Sequence, residues 1–96
     1  MHTIHKYPVP VSADAFLIVL PKGAKFLAAR VQCGHPHLWF EVDSMQPMEK
    51  VIFCLIGTGQ RFPEIATKHH WPYLDTFLVH DGMDTLHLYG GVPFAG

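Results

Sequence analysis

Lys50-Val51-Ile52-Phe53-Cys54-Leu55-Ile56-Gly57 is the stretch that decides the fold. An unbroken apolar run stands between a lysine and a glycine. A run this short, rich in β-branched and aromatic residues, reads as a strand. It is apolar on both faces, so both faces must be covered, which is the pattern of a central strand. A single flat sheet leaves one face in water. A small antiparallel barrel or a two-layer sandwich covers both.

The prolines carry this reading outward. They fall at positions 8, 10, 21, 36, 47, 63, 72 and 93. A proline inside a helix costs about 3 kcal/mol. The longest proline-free stretch, 73–92, is itself interrupted by Gly82, Gly90 and Gly91. Long helices have no room. Between the breakers lie segments rich in Val, Ile, Leu, Phe and Thr, and the pattern predicts an all-β domain of about seven short strands. These are Thr3–Val9, Ala15–Leu20, Ala24–Cys33, Leu38–Asp43, Lys50–Gly57, Tyr73–His80 and Asp84–Tyr89. Pro21-Lys22-Gly23 and Asp81-Gly82 are turn signals. At most one short helical turn is expected near 62–71, opened by Pro63-Glu64.

Composition bounds the rest. The chain has 96 residues, 49% of them apolar and 16% charged, so 1–96 reads as one folded domain. The formal net charge is −1, and no basic field exists to attract nucleic acid. No window approaches a membrane span, so no membrane partner is expected. The first residues, His2 to Tyr7, hold no apolar leader core, and a cytoplasmic location is expected, with Cys33 and Cys54 reduced. A chain this small buries only about 60–65% of its unfolded surface, and self-association is a natural supplement. Charge is uneven: no Lys or Arg follows Lys68, whereas Asp75, Asp81 and Asp84 do. The eight histidines are spread along the chain, and their titration near ~6.5 would carry the net charge toward +7 in acid.

The hairpin around Gly34-His35-Pro36-His37 is expected to pair across a four-residue loop. Cys33 then faces Leu38, Val31 faces Phe40, Gln32 faces Trp39 and Arg30 faces Glu41. Apolar meets apolar and opposite charges meet. This register turns Cys33 into the core and leaves Phe26, Arg30, Gln32, Trp39 and Glu41 on the outward face. Guanidinium–indole stacking of Arg30 on Trp39 is part of the same expectation.

Several fragments together carry a resemblance. They are Lys6-Tyr7-Pro8, Leu20-Pro21-Lys22-Gly23-Ala24, Val31-Gln32 with Gly34, and Leu38-Trp39. Val42-Asp43, Gly57-Thr58-Gly59 with Pro63, Tyr73 with Thr76, and His87-Leu88 continue it in the same order. The chain resembles a family of short, uncharacterised proteins encoded by tailed bacteriophages and prophages. Phe62–Pro72, with His69-His70-Trp71, and the tail after Tyr89 depart from that pattern. The resemblance brings no activity, cofactor or catalytic residue. It implies a setting inside the host cell, where an accessory protein of this size binds a host protein or sequesters a small signal.

Three groups of residues could carry chemistry. Gly57-Thr58-Gly59-Gln60-Arg61 follows the central strand directly. Backbone N–H groups of a glycine-rich turn can cradle an anion, and Arg61 can pair with a phosphate. The plainer reading is a tight turn before Pro63, since the Walker lysine and its hydroxyl partner are missing. Arg30 and Trp39 belong to the residue types enriched at binding hot spots; the plainer reading is a face covered by the rest of the fold. Cys33, His35 and His37 are zinc-ligand types, but the spacing matches no zinc signature, and no metal or cofactor is expected. No GxSxG or HExxH motif occurs, and the only serines, Ser12 and Ser44, sit in turn-like segments, so no catalytic residue is assigned.

Together with what the resemblance implies, the expectation is a non-enzymatic phage accessory protein that interferes with a host defence process. Its partner is a host protein or a small nucleotide-type signal, and Gly57, Thr58, Gly59, Arg61, Arg30 and Trp39 are the residues expected to contact it. A structural or assembly module forming homo-oligomers is the alternative. A metal-binding protein or small hydrolase comes third. The loop and the tryptophans discriminate: a nucleotide binder needs the loop to frame a pocket with aromatic neighbours, whereas a protein inhibitor needs an exposed Trp39 or Trp71.

Overall fold

The computed structural model describes residues 1–10 and 15–95; Ser12 lies outside them. Among the described residues, seven strands form two antiparallel sheets, with one short helix. The strands are β1 (His2–Pro8), β2 (Ala15–Pro21), β3 (Lys25–Gln32), β4 (His35–Asp43), β5 (Met48–Gly57), β6 (Tyr73–Val79) and β7 (Asp84–Pro93), and α1 (Glu64–Lys68) falls between β5 and β6. The smaller sheet runs β1-β4-β3 and the larger β2-β5-β7-β6. The sheets do not close into a barrel. Of the two architectures the sequence permits, the chain adopts the sandwich.

Alternation builds the core. Leu38, Phe40 and Val42 of β4 point inward, against Phe16, Ile18 and Leu20 of β2 and Val51 and Phe53 of β5. Phe53 anchors the layer: Phe16 stacks on it at 5.6 Å, and Phe40 meets it at 5.9 Å. The doubly apolar reading of β5 holds. Val51 and Phe53 belong to the inter-sheet core, whereas Ile52, Cys54 and Ile56 belong to a second cluster on the sheet's outer side, with Ala66 and Trp71. That cluster explains the helix. Glu64–Lys68 has one fully sheltered residue, Ala66, and the segment lays it and Trp71 over the outward face of β5.

The β3–β4 hairpin differs from its expected register. Cys33 and Gly34 form a two-residue turn, with φ of 53° and 76°. Left-handed conformation at both positions is what a tight hairpin turn needs to match strand twist. Gln32 therefore faces His35, Arg30 faces His37 and Ala29 faces Leu38. Cys33 is exposed at the tip and not in the core. The register shifts between Phe26 and Ala28, and this bulge turns Phe26 inward onto Phe40, ring centroids 5.7 Å apart. Glu41 lies opposite Lys25 in the register, not Arg30, and its carboxylate is bonded to His2 Nε2 at 2.9 Å. A bulge adds one residue to one strand, so face alternation read straight through it fails.

The two sheets are clasped along one side, where the edges of β3 and β6 meet. Asp75 supplies the clasp. One carboxylate oxygen accepts the Ala29 backbone N–H at 2.9 Å and the Arg30 guanidinium at 2.7 Å; the other accepts the Thr76 N–H at 2.8 Å. A second bulge lies on β7 opposite Ile52 and Phe53. Gly90 sits there at φ 113°, where an added Cβ would stand 2.6 Å from the Ile52 carbonyl oxygen.

Candidate functional site

The site starts where β5 ends. Gly57-Thr58-Gly59-Gln60 closes as a turn, with the Gln60 N–H donating to the Gly57 carbonyl at 3.0 Å and Gly59 at φ 85°. The Gln60 side chain folds back and accepts the Gly57 N–H at 2.8 Å. Two of the N–H groups that could have cradled an anion are thus bonded within the turn. The turn holds Thr58 beside the outward face of β7.

That face carries a continuous polar row. His87 of β7 lies opposite Thr76 of β6, because the hairpin closes with Val79 facing Asp84. Its Nδ1 is hydrogen-bonded to Thr76 Oγ1 at 2.9 Å, and its Nε2 to Thr58 Oγ1 at 2.8 Å. Thr76 Oγ1 is bonded onward to Tyr73 Oη at 2.8 Å. One imidazole therefore ties together the turn after β5, β7 and β6.

An aromatic shelf adjoins the row. Tyr89 is two positions along β7 from His87 and shares its face. Phe62 meets Tyr89 edge-on at 4.9 Å, and Tyr73 meets it at 5.5 Å. A shallow cleft of about 230 Å³ is lined by Thr58, Gly59, Gln60, Phe62, His87 and Tyr89. A neighbouring cleft of about 310 Å³ includes Arg61, Phe62 and Pro63, and another of about 550 Å³ includes Thr58, His80 and Asp84.

The expected site residues divide between two places. Gly57, Thr58, Gly59 and Arg61 gather at this end of the larger sheet. Arg30 and Trp39 do not join them. Trp39 lies half-buried on the outer face of the smaller sheet, between Lys6 and Ala28, and leans on His37 at 6.0 Å. Arg30 turns to Asp75 at the clasp, so it does not stack on Trp39. His35 bonds the Val9 carbonyl through Nε2, and His37 bonds the His35 carbonyl through Nδ1. Among the described residues, no three His, Cys, Asp or Glu side chains gather as a metal site. His80 and Asp84 pair at 2.7 Å, both well exposed.

Sequence reasoning missed His87, Thr76, Tyr73, Tyr89 and Phe62 as members of one site. The available signal was the shared side of His87 and Tyr89 on one strand. The cross-strand partner Thr76 follows only once the length of the His80–Met83 turn is known.

A family model described as "Domain of unknown function (DUF7352)" matches residues 1–95. The chain belongs to that family. No curated protein and no solved structure matches this DUF7352 domain. No helix among its described residues is long and apolar enough to cross a membrane.

Proposed function

We propose that this DUF7352 domain is a non-enzymatic binding module whose ligand is a small nucleotide-type molecule. The ligand rests on the outer face of the larger sheet, beside the Gly57–Arg61 turn. The observation that carries this reading is the aromatic shelf of Phe62, Tyr89 and Tyr73 set against that turn. A base stacks on aromatic rings, and the hydroxyl of Thr58 and the guanidinium of Arg61 suit the sugar and phosphate. In the setting the sequence resemblance implies, the domain is a phage accessory protein that removes a signal nucleotide inside the host cell.

A protein-directed inhibitor has less support. It calls for an exposed tryptophan, whereas Trp71 is buried at 7% exposure and Trp39 is half-buried.

Isothermal calorimetry of the whole chain against a panel of nucleoside monophosphates and cyclic nucleotides tests the reading. At least one member is expected to bind. Loss of a stacking ring costs ~1–3 kcal/mol, so Tyr89→Ala should weaken that member by about 5- to 150-fold with the fold retained. No binding by any member, or full affinity in Tyr89→Ala, removes the proposal.

A further inference from the structure

We infer that the outer face of the larger sheet is an oxyanion receptor in which the row Thr58–His87–Thr76–Tyr73 takes up one proton together with its ligand. This rests on the nucleotide reading and narrows it to the phosphate. It follows from counting protons along the row.

A hydroxyl carries a single proton to donate, and a neutral imidazole has one donor nitrogen and one acceptor. Suppose Nδ1 of His87 carries the hydrogen. Thr58 must then donate to Nε2, and it has no proton left for a ligand. Thr76 accepts from Nδ1 and donates to Tyr73, whose own O–H points outward. Suppose instead that Nε2 carries the hydrogen. Thr58 is then free to donate outward, but Thr76 must donate to Nδ1 and Tyr73 to Thr76. A neutral row therefore offers a ligand at most one outward proton, at one end or the other. An imidazolium donates from both nitrogens, so Thr58 and Tyr73 both present donors, and a positive charge sits between them. A donor backed by a cation is what an oxyanion selects, and the charged row presents one at the Thr58 end, in the cleft, whatever the other end does.

Among the described residues that face His87, no carboxylate competes with an incoming anion. Facing His87 are Ile56 from β5, Thr76 and Tyr73 from β6, Thr85 and Tyr89 from β7, and Thr58 from the turn. Among the described residues, His87 belongs to no ion pair. Asp84, which lines the cleft beyond Thr58, is paired with His80. The charged residues of the segment following the turn are Arg61, Glu64 and Lys68, all exposed. An incoming anion thus becomes the counter-charge of the imidazolium.

The test uses sulfate as the probe, with the whole chain. Sulfate stays a dianion between about pH 5 and 8, the range of imidazole titration, so any linked proton is taken up by the protein and not by the probe. NMR titration follows the His87 ring and the sulfate affinity together. Affinity is expected to rise by up to about tenfold per pH unit as pH falls through the His87 transition. Sulfate should in turn shift that transition upward. His87→Gln can still hydrogen-bond but cannot hold the extra proton, and its affinity should not vary with pH. Thr58→Val should lose sulfate binding. If the Gln variant does not fold, the wild-type titration and Thr58→Val decide alone. Absence of sulfate binding, affinity independent of pH in the wild type, or an unmoved His87 ring overturns the inference, even where a nucleotide binds. A linked His87 transition that no nucleotide competes for leaves the receptor standing and removes the nucleotide reading instead.

Discussion

Removing the carboxylate of Asp75 should cost about 2–3 kcal/mol of stability. Its side chain is 23% exposed, and its largest single contribution comes from the backbone. Ala29 is fully buried, and its N–H points from the outer edge of β3, where no strand accepts it. In Asp75→Ala that donor loses its acceptor at 2.9 Å, and a buried donor left unsatisfied costs ~1–3 kcal/mol. The Arg30 pair adds less than about 1 kcal/mol, because Arg30 is 61% exposed and water screens it. Asp75→Asn keeps one carbonyl oxygen for Ala29 and should lose about half as much. Urea unfolding, followed by tryptophan fluorescence and far-UV dichroism, reads both values from the midpoint at constant slope. A small domain has only ~5–15 kcal/mol in total, so the shift is large. Asp75→Ala within about 0.5 kcal/mol of wild type would refute the clasp. So would Asn and Ala variants of equal stability. The same group gives the acid behaviour a sign. Desolvation is the largest influence on the Asp75 carboxyl and pushes its pKa up, but the N–H groups of Ala29 and Thr76 and the Arg30 guanidinium together outweigh it and hold the pKa below its usual value. A carboxyl lowered on folding stabilises the protein above its unfolded pKa of ~3.9 and stops doing so as pH falls through the folded value. Wild type should therefore lose stability more steeply than Asp75→Asn below about pH 4.

Gly90→Ala should destabilise by about 3 kcal/mol or more, since the added methyl meets the Ile52 backbone oxygen at 2.6 Å and φ is 113°; a Tm unchanged within a few degrees would contradict this. The two tryptophans should behave oppositely under alanine substitution. Trp71→Ala empties the cluster over β5 and should cost about 3–5 kcal/mol in chemical denaturation, whereas Trp39→Ala should cost clearly less. A thiol reagent should modify exposed Cys33 in the native protein and reach buried Cys54 only in denaturant; mass spectrometry of the labelled peptides distinguishes them.

Legibility in the sequence followed the range of each interaction. The role of β5 was plain because its covering is written in consecutive residues, Val51 to Ile56. The turn at Pro21-Lys22-Gly23, the β6–β7 hairpin at Asp81-Gly82 and the short helix after Pro63 were legible for the same local reason. The β3–β4 register was not. A bulge at Leu27 leaves no mark in an apolar stretch, and a cysteine in left-handed conformation at position 33 runs against its usual preference. The site was half legible. Gly57-Thr58-Gly59 announced a turn, but its partner His87 reaches it only through the sheet order β5-β7-β6, which no local pattern specifies. Likewise, the last third of the chain showed only an uneven charge, while Asp75 within it holds the sandwich shut from 45 residues away.

The clasp at β3 and β6 also determines how this protein will behave at high concentration. With that side occupied, the outer edges that no other strand pairs among the described residues belong to β1 and β2. The edge of β1 is broken up by Lys6 and by Pro8 at its end, devices that discourage a passing strand. Ala15-Phe16-Leu17-Ile18-Val19-Leu20-Pro21 has no charged residue, and Leu17 and Val19 stand 42% and 49% exposed beside it. Strand-to-strand association at high concentration is therefore expected along this ribbon. Val19→Glu, opposite Lys50, should weaken that association, and position 19 lies outside the core, the clasp and the cleft.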